Sequence, residues 1–175
     1  LLFLSIALAP WYYFPKTVYT LSLLSIELLL FVLYSVSPFR FKERGFLGVI
    51  TDSLYAHAIP ALLALTAFDQ NGELPFNTIR GLSITLLLWQ FFLGIRNILF
   101  HQIADSKNDI KSGIKTFVTS TSIPKTELLL KKLFIPLEVI SFSLFCLILS
   151  LTYFLMSLTL LAIYILYLFY QRKGY

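Results

Sequence analysis

The chain has 175 residues, of which 58% are hydrophobic and only 13% charged, with a formal net charge of +5 and a mean hydropathy of +0.81. A soluble domain carries about 25% charged residues, so this composition lacks the polar surface that water demands and excludes an ordinary water-soluble enzyme. The apolar residues come in long blocks instead of at 3.6-residue spacing, which places lipid around them.

In chain order, Leu1–Phe14 is apolar but short and begins without a Met, so it reads as the cut end of a span. Thr17–Val36, Phe46–Phe68 and Ile79–Phe100 each have about the length needed to cross a ~30 Å hydrocarbon core. Ser35-Val36-Ser37-Pro38 supplies a helix stop for the first of them. Leu133–Tyr170 would measure about 57 Å as one helix, almost twice the membrane, which predicts two spans turning near Leu151–Tyr153. The fold class is therefore all-α: a polytopic transmembrane helical bundle of about five complete spans plus a partial first one. It is read as a single membrane domain over residues 1–175, incomplete at the N-terminus and also at the C-terminus. Cys146 stands alone in an apolar block, which leaves no disulfide and no cysteine metal site, only a buried thiol.

Lys and Arg set the orientation. Alternating the loops puts Pro38–Gly45, Gln102–Lys132 and Gln171–Tyr175 on one side. That side collects Arg40, Lys42, Arg44, Lys107, Lys111, Lys115, Lys125, Lys131, Lys132, Arg172 and Lys173, while the other holds Lys16 and Arg80. Such an asymmetry makes the first side cytoplasmic. The chain is then a multi-pass protein of the cell (cytoplasmic) membrane, and its basic pI of 9.3 needs no nucleic acid to explain it.

Both polar stretches that carry chemistry fall on that side; the outer stretch Asp69–Thr78 has the composition of a turn. In the run from Arg96 and Asn97 through Thr116, a helix continuing past the membrane boundary puts Gln102, Asp105 and Asp109 on one face at i, i+3 and i+7. Asp105 and Asp109 are then like charges one turn apart, an arrangement that costs a helix a few tenths of a kcal/mol. Neither has a Lys or Arg at i±3 or i±4. A divalent cation resolves this: Mg²⁺ is held by one or two carboxylates plus substrate phosphates. The plainer alternative is a solvated connector. Gly113 ends or bends the helix, and the Thr116 hydroxyl follows.

The second stretch, Tyr34–Gly45, places Arg40, Lys42 and Arg44 at a membrane boundary. They serve either as a positive-inside anchor or as a clamp on phosphate oxygens. Polar residues within the spans are costly and point to a lined cavity: Glu27, Asp52, His57, Gln90, Arg96, Asn97 and Glu138. Asp52 and Tyr55 share a face at i, i+3 with Gly48. His57 lies about 140° away on an ideal helix, although Pro60 can distort the geometry there.

Two segments together resemble the UbiA-type intramembrane prenyltransferases. Tyr34-Ser35…Pro38-Phe39-Arg40-Phe41-Lys42…Arg44-Gly45…Leu47-Gly48 is similar to that family's basic loop and the start of its next span. Asp105-x3-Asp109-x3-Gly113-x2-Thr116 is similar to its second aspartate-rich motif. The resemblance implies a nine-span bundle around a lipid-open cavity, with Mg²⁺ and an isoprenyl diphosphate at its cytoplasmic mouth. A hydrophobic or aromatic acceptor in the bilayer captures the prenyl group. It also implies that Asp105 and Asp109 are metal-binding catalytic residues. Arg40, Lys42, Arg96, Asn97, Gln102, Asp52, Tyr55 and His57 then contact substrates. Two departures stand out. No first aspartate-rich motif precedes Thr17, so this piece alone is expected to be inactive, and Gln102 stands where many members carry an acid.

The rival readings are a non-enzymatic polytopic protein such as a transporter subunit, with Asp52, His57 and Glu138 as its polar path, and an enzyme like the CDP-alcohol phosphotransferases. The first leaves the aspartate loop unexplained. The second lacks the DxxDG that should precede the pair.

Overall fold

A computed structural model describes residues 17–68 and 76–173, and among these residues all regular structure is helical. Leu1–Phe14 and residues 69–75 of the outer stretch lie outside the described residues.

Helix α1 (Val18–Ser35) starts at Thr17, whose hydroxyl accepts the Thr20 N–H at 3.1 Å. The Thr20 hydroxyl accepts the Thr17 N–H in return, so two orphan donors are satisfied reciprocally. The helix stops at Val36, two residues before Pro38, as the sequence predicts. A short 3₁₀ turn, Phe41–Glu43, then leads into the second span. This consists of α2 (Phe46–Ser53), a π-helical turn at Leu54–Ala58, and α3 (Ile59–Phe68).

Helix α4 (Phe76–Lys111) has 36 residues and measures about 54 Å. It therefore runs well past a ~30 Å core and carries Asp105 and Asp109 on its projecting end. Gly113, at φ +68°, breaks the helix. Two short helices follow, α5 (Phe117–Thr121) and α6 (Ile123–Leu129). A second π-helical turn at Leu130–Phe134 feeds α7 (Ile135–Ser150). The chain turns at Leu151–Tyr153, where the length argument places it, and closes with α8 (Phe154–Lys173).

Among the described residues, four helical stretches are long and apolar enough to cross a membrane: Val18–Ser35, Phe46–Thr66, Thr78–Lys111 and Ile123–Ser150. A fifth apolar helix, Phe154–Tyr170, is shorter. The five spans of the sequence reading thus correspond to four by length and one short helix. Gln102–Lys132, read as a loop, is mostly helical, because α4 continues to Lys111 and the next span begins at Ile123.

Both π-helical turns end shortly before a proline, Pro60 in one and Pro136 in the other. Proline removes the N–H that would bond to residue i−4, and its ring collides with that carbonyl. Widening the preceding turn relieves both problems.

Helix α4 is the central post and packs most extensively against α7. One cluster, Val49, Ile95, Leu99, Val118, Leu130 and Phe134, joins α2, α4, α5 and the start of the α6–α7 span. Another, Phe142, Cys146 and Tyr164 with Trp89 against it, joins α4, α7 and α8. Cys146 is buried, as the sequence suggests. The exposed Leu, Ile, Phe and Val of α1 and α8 suit hydrocarbon, since each backbone group is already bonded within its helix.

Candidate active site

The two polar segments meet. Gly45, at the end of the basic loop, forms an isolated parallel bridge with Thr116, and Phe46 and Phe117 pack with ring centroids 5.4 Å apart. Gly45 adopts φ +56°, a conformation L side chains rarely take. Three residues on, Gly48 lets the loop fold down on the span: a Cβ there would stand 2.5 Å from the Phe41 carbonyl oxygen. Pro38–Gly45 and the end of α4 therefore lie on the same side of the bundle.

Within the loop, Arg40 pairs with Glu43. Arg44 donates to the Pro38 carbonyl at 3.0 Å and lies over the Phe41 ring at 5.5 Å. Lys42 is half-buried and makes no ion pair among the described residues. Arg40 and Arg44 thus bond within the loop itself.

On α4, Asp105 is exposed and Asp109 half-buried. Neither joins an ion pair among the described residues, which matches their lack of lysine partners in the sequence. No group of three or more His, Cys, Asp or Glu among the described residues is placed to hold a metal. Two carboxylates offering hard oxygen atoms suit Mg²⁺, which takes its remaining ligands from water and phosphate. The residues fit that ion.

Gln102, on the same helix, is buried, and its Oε1 accepts the Val118 N–H at 3.3 Å. It holds the first turn of α5 against α4. Thr116 caps α5 with its hydroxyl, accepting the Thr119 N–H. Arg96 lies deeper, with 1% of its surface exposed, against Glu138 at 0%. Arg96 Nε stands 2.8 Å from Glu138 Oε2. Tyr164 donates to Glu138 Oε1 at 2.7 Å, and Arg96 donates to the Tyr167 hydroxyl at 3.1 Å. Arg96, expected at the diphosphate, is engaged in this network between α4, α7 and α8. Asn97 is half-buried on α4.

A second polar group forms where α1, α2 and α4 approach. Tyr55 donates to Asp52 Oδ1 at 3.3 Å, and Tyr34 of α1 lies beside Tyr55. The Tyr34 and Tyr55 rings lie 5.1 Å apart. His57 sits on the π-helical turn. Gly94 of α4 is packed so closely beneath it that a Cβ would lie 2.9 Å from the imidazole Cδ2 and 2.8 Å from Ser53 Cα. Asp52 and Tyr55 were legible as neighbours from their i, i+3 spacing, whereas His57 was expected on a different face of the helix. Tyr34 had been read only as part of the loop motif, and nothing in the spacing of residues on two different helices ties it to Tyr55.

Apolar helices crossing a bilayer, with polar side chains gathered toward one end, define a multi-pass integral membrane protein. The chain belongs to the UbiA prenyltransferase family, whose profile matches residues 1–175, and that membership implies prenyl transfer within the membrane. Neither a curated protein nor a solved structure matches the chain significantly.

Proposed function

We propose that this chain is a single prenyltransferase domain over residues 1–175 that contributes to Mg²⁺-dependent transfer of a prenyl group. The donor is an isoprenyl diphosphate and the acceptor a hydrophobic or aromatic molecule in the bilayer. The observation that supports the reading is the Gly45–Thr116 bridge, which ties the end of the basic loop to the segment that follows the two carboxylates of α4. Arg40 and Lys42 meet the diphosphate oxygens from one side, and Asp105 and Asp109 hold the cation from the other. When bound, Mg²⁺ neutralises charge on the departing diphosphate. Arg96 and Gln102 act by fixing α4 against α7 and α5, and Asn97, Asp52, Tyr55 and His57 line the approach. The apolar helices hold the prenyl tail and exclude water from the allylic cation. The site faces the cytoplasm, the side on which the lysines and arginines gather.

The experiment is prenyl transfer by the full-length protein across a Mg²⁺ titration, with thermal unfolding measured in parallel. Asp109→Asn keeps the side-chain shape and removes the charge, so transfer is lost while the melting temperature holds or rises slightly as the repulsion from Asp105 is relieved. Full activity in Asp109→Asn, or transfer indifferent to EDTA, refutes the reading.

A further inference from the structure

Asp52 is an acidic side chain inside a membrane span that accepts a hydrogen bond from Tyr55 on its own span, and the ring of Tyr34 on α1 packs 5.1 Å from that of Tyr55. His57 follows on the π-helical turn of the same span, and His101 lies on α4. All of these residues except exposed His101 are half-buried, so the group is open at one side. Such a cluster is expensive among apolar helices, and its members lie outside the two buried apolar clusters.

Its position relative to the aspartates is informative. Gly94, His101 and Asp105 fall at i, i+7 and i+11, on one face of α4. The lower end of that face touches Ser53 and His57 through Gly94, and its upper end carries Asp105. His101 lies one turn, about 6 Å, below Asp105. The protic cluster and the carboxylates therefore sit along one wall.

Resting on the prenyl-transfer reading, we infer that the Asp52 cluster binds the hydroxyl group of the acceptor, and that Asp52 receives its proton. The acceptor is then a hydroxyl-bearing lipid or phenol whose oxygen is the nucleophile. The C1–oxygen bond of the donor breaks with its electron pair passing to the diphosphate. A lone pair of the acceptor oxygen forms the new bond to C1, and the hydroxyl proton passes to the Asp52 carboxylate. No oxidant or further reactant is required. Tyr55 orients the carboxylate.

The test is binding to the full-length protein in nanodiscs without donor or metal, using 4-hexylphenol and its methyl ether 4-hexylanisole as a matched pair. A hydrogen bond to a charged group is worth enough for about a tenfold preference for the phenol. Asp52→Leu abolishes that preference and Tyr55→Phe reduces it. Equal binding of the two probes to the wild type overturns the inference, as does a preference that survives Asp52→Leu. The wild-type comparison decides even where a variant fails to insert. Diphosphate release under the Mg²⁺ titration tests the prenyl-transfer reading separately, so either idea can fail alone.

Discussion

Removing Arg96 would strand the Glu138 carboxylate in a fully buried position, with the Tyr164 hydroxyl as its remaining partner among the described residues. Breaking a buried pair from one side typically costs about 3–5 kcal/mol, whereas replacing both charges with apolar groups of similar volume is often neutral. Arg96→Ala should therefore destabilise the bundle by about 3–5 kcal/mol, measured by denaturant unfolding in detergent. The double substitution Arg96→Met with Glu138→Leu should recover most of that loss. Equal destabilisation by the single and double variants would contradict the pairing. Both residues were recognisable in the sequence as costly intramembrane charges. Their partnership was not, because they lie on different spans and no helical periodicity relates them. Asp52 and Tyr55 were recognisable as neighbours, since i, i+3 spacing fixes that on any helix.

Among the elements, the close approaches at Gly48 and Gly94 set where the basic loop and the Asp52 helix sit. Gly94→Ala forces a methyl group onto the Ser53 backbone at 2.8 Å and the His57 ring at 2.9 Å. Overpacking of this kind costs about 1–3 kcal/mol. The expected outcome is a lowered melting temperature for Gly94→Ala; an unchanged one would mean that α2 and α4 separate freely. The spans and the turn at Leu151–Tyr153 follow from block length against bilayer thickness, a constraint strong enough to place a turn that has no Gly or Pro. The α5–α6 segment was missed because its Ser, Thr and Lys content resembles a loop. Its helices are held by features local patterns carry weakly: the Thr116 cap, the Gln102 contact and Pro124 at the start of α6.

At the scale of the whole molecule, the Gly45–Thr116 bridge requires that the basic loop and the end of α4 share one side of the membrane. Single cysteines at Arg44 and Lys111 should therefore be labelled from the same side by a membrane-impermeant thiol reagent, with Cys146 replaced by Ala. From the charge asymmetry we propose that this side is the cytoplasm. Labelling from opposite sides would overturn the topology and, with it, the site.

The central claim is that the basic loop and the aspartates of α4 form one site around a single divalent cation. The most direct measurement places a spin label on a cysteine substituted for Phe39, exposed in the loop, in the full-length protein with Cys146 replaced by Ala. Mn²⁺ is then added as a paramagnetic substitute for Mg²⁺, together with a non-hydrolysable isoprenyl diphosphate analogue. The account predicts enhanced relaxation of the label that saturates with Mn²⁺ and disappears when both Asp105→Asn and Asp109→Asn are introduced. Relaxation that is absent, or that persists unchanged without the two carboxylates, would contradict it.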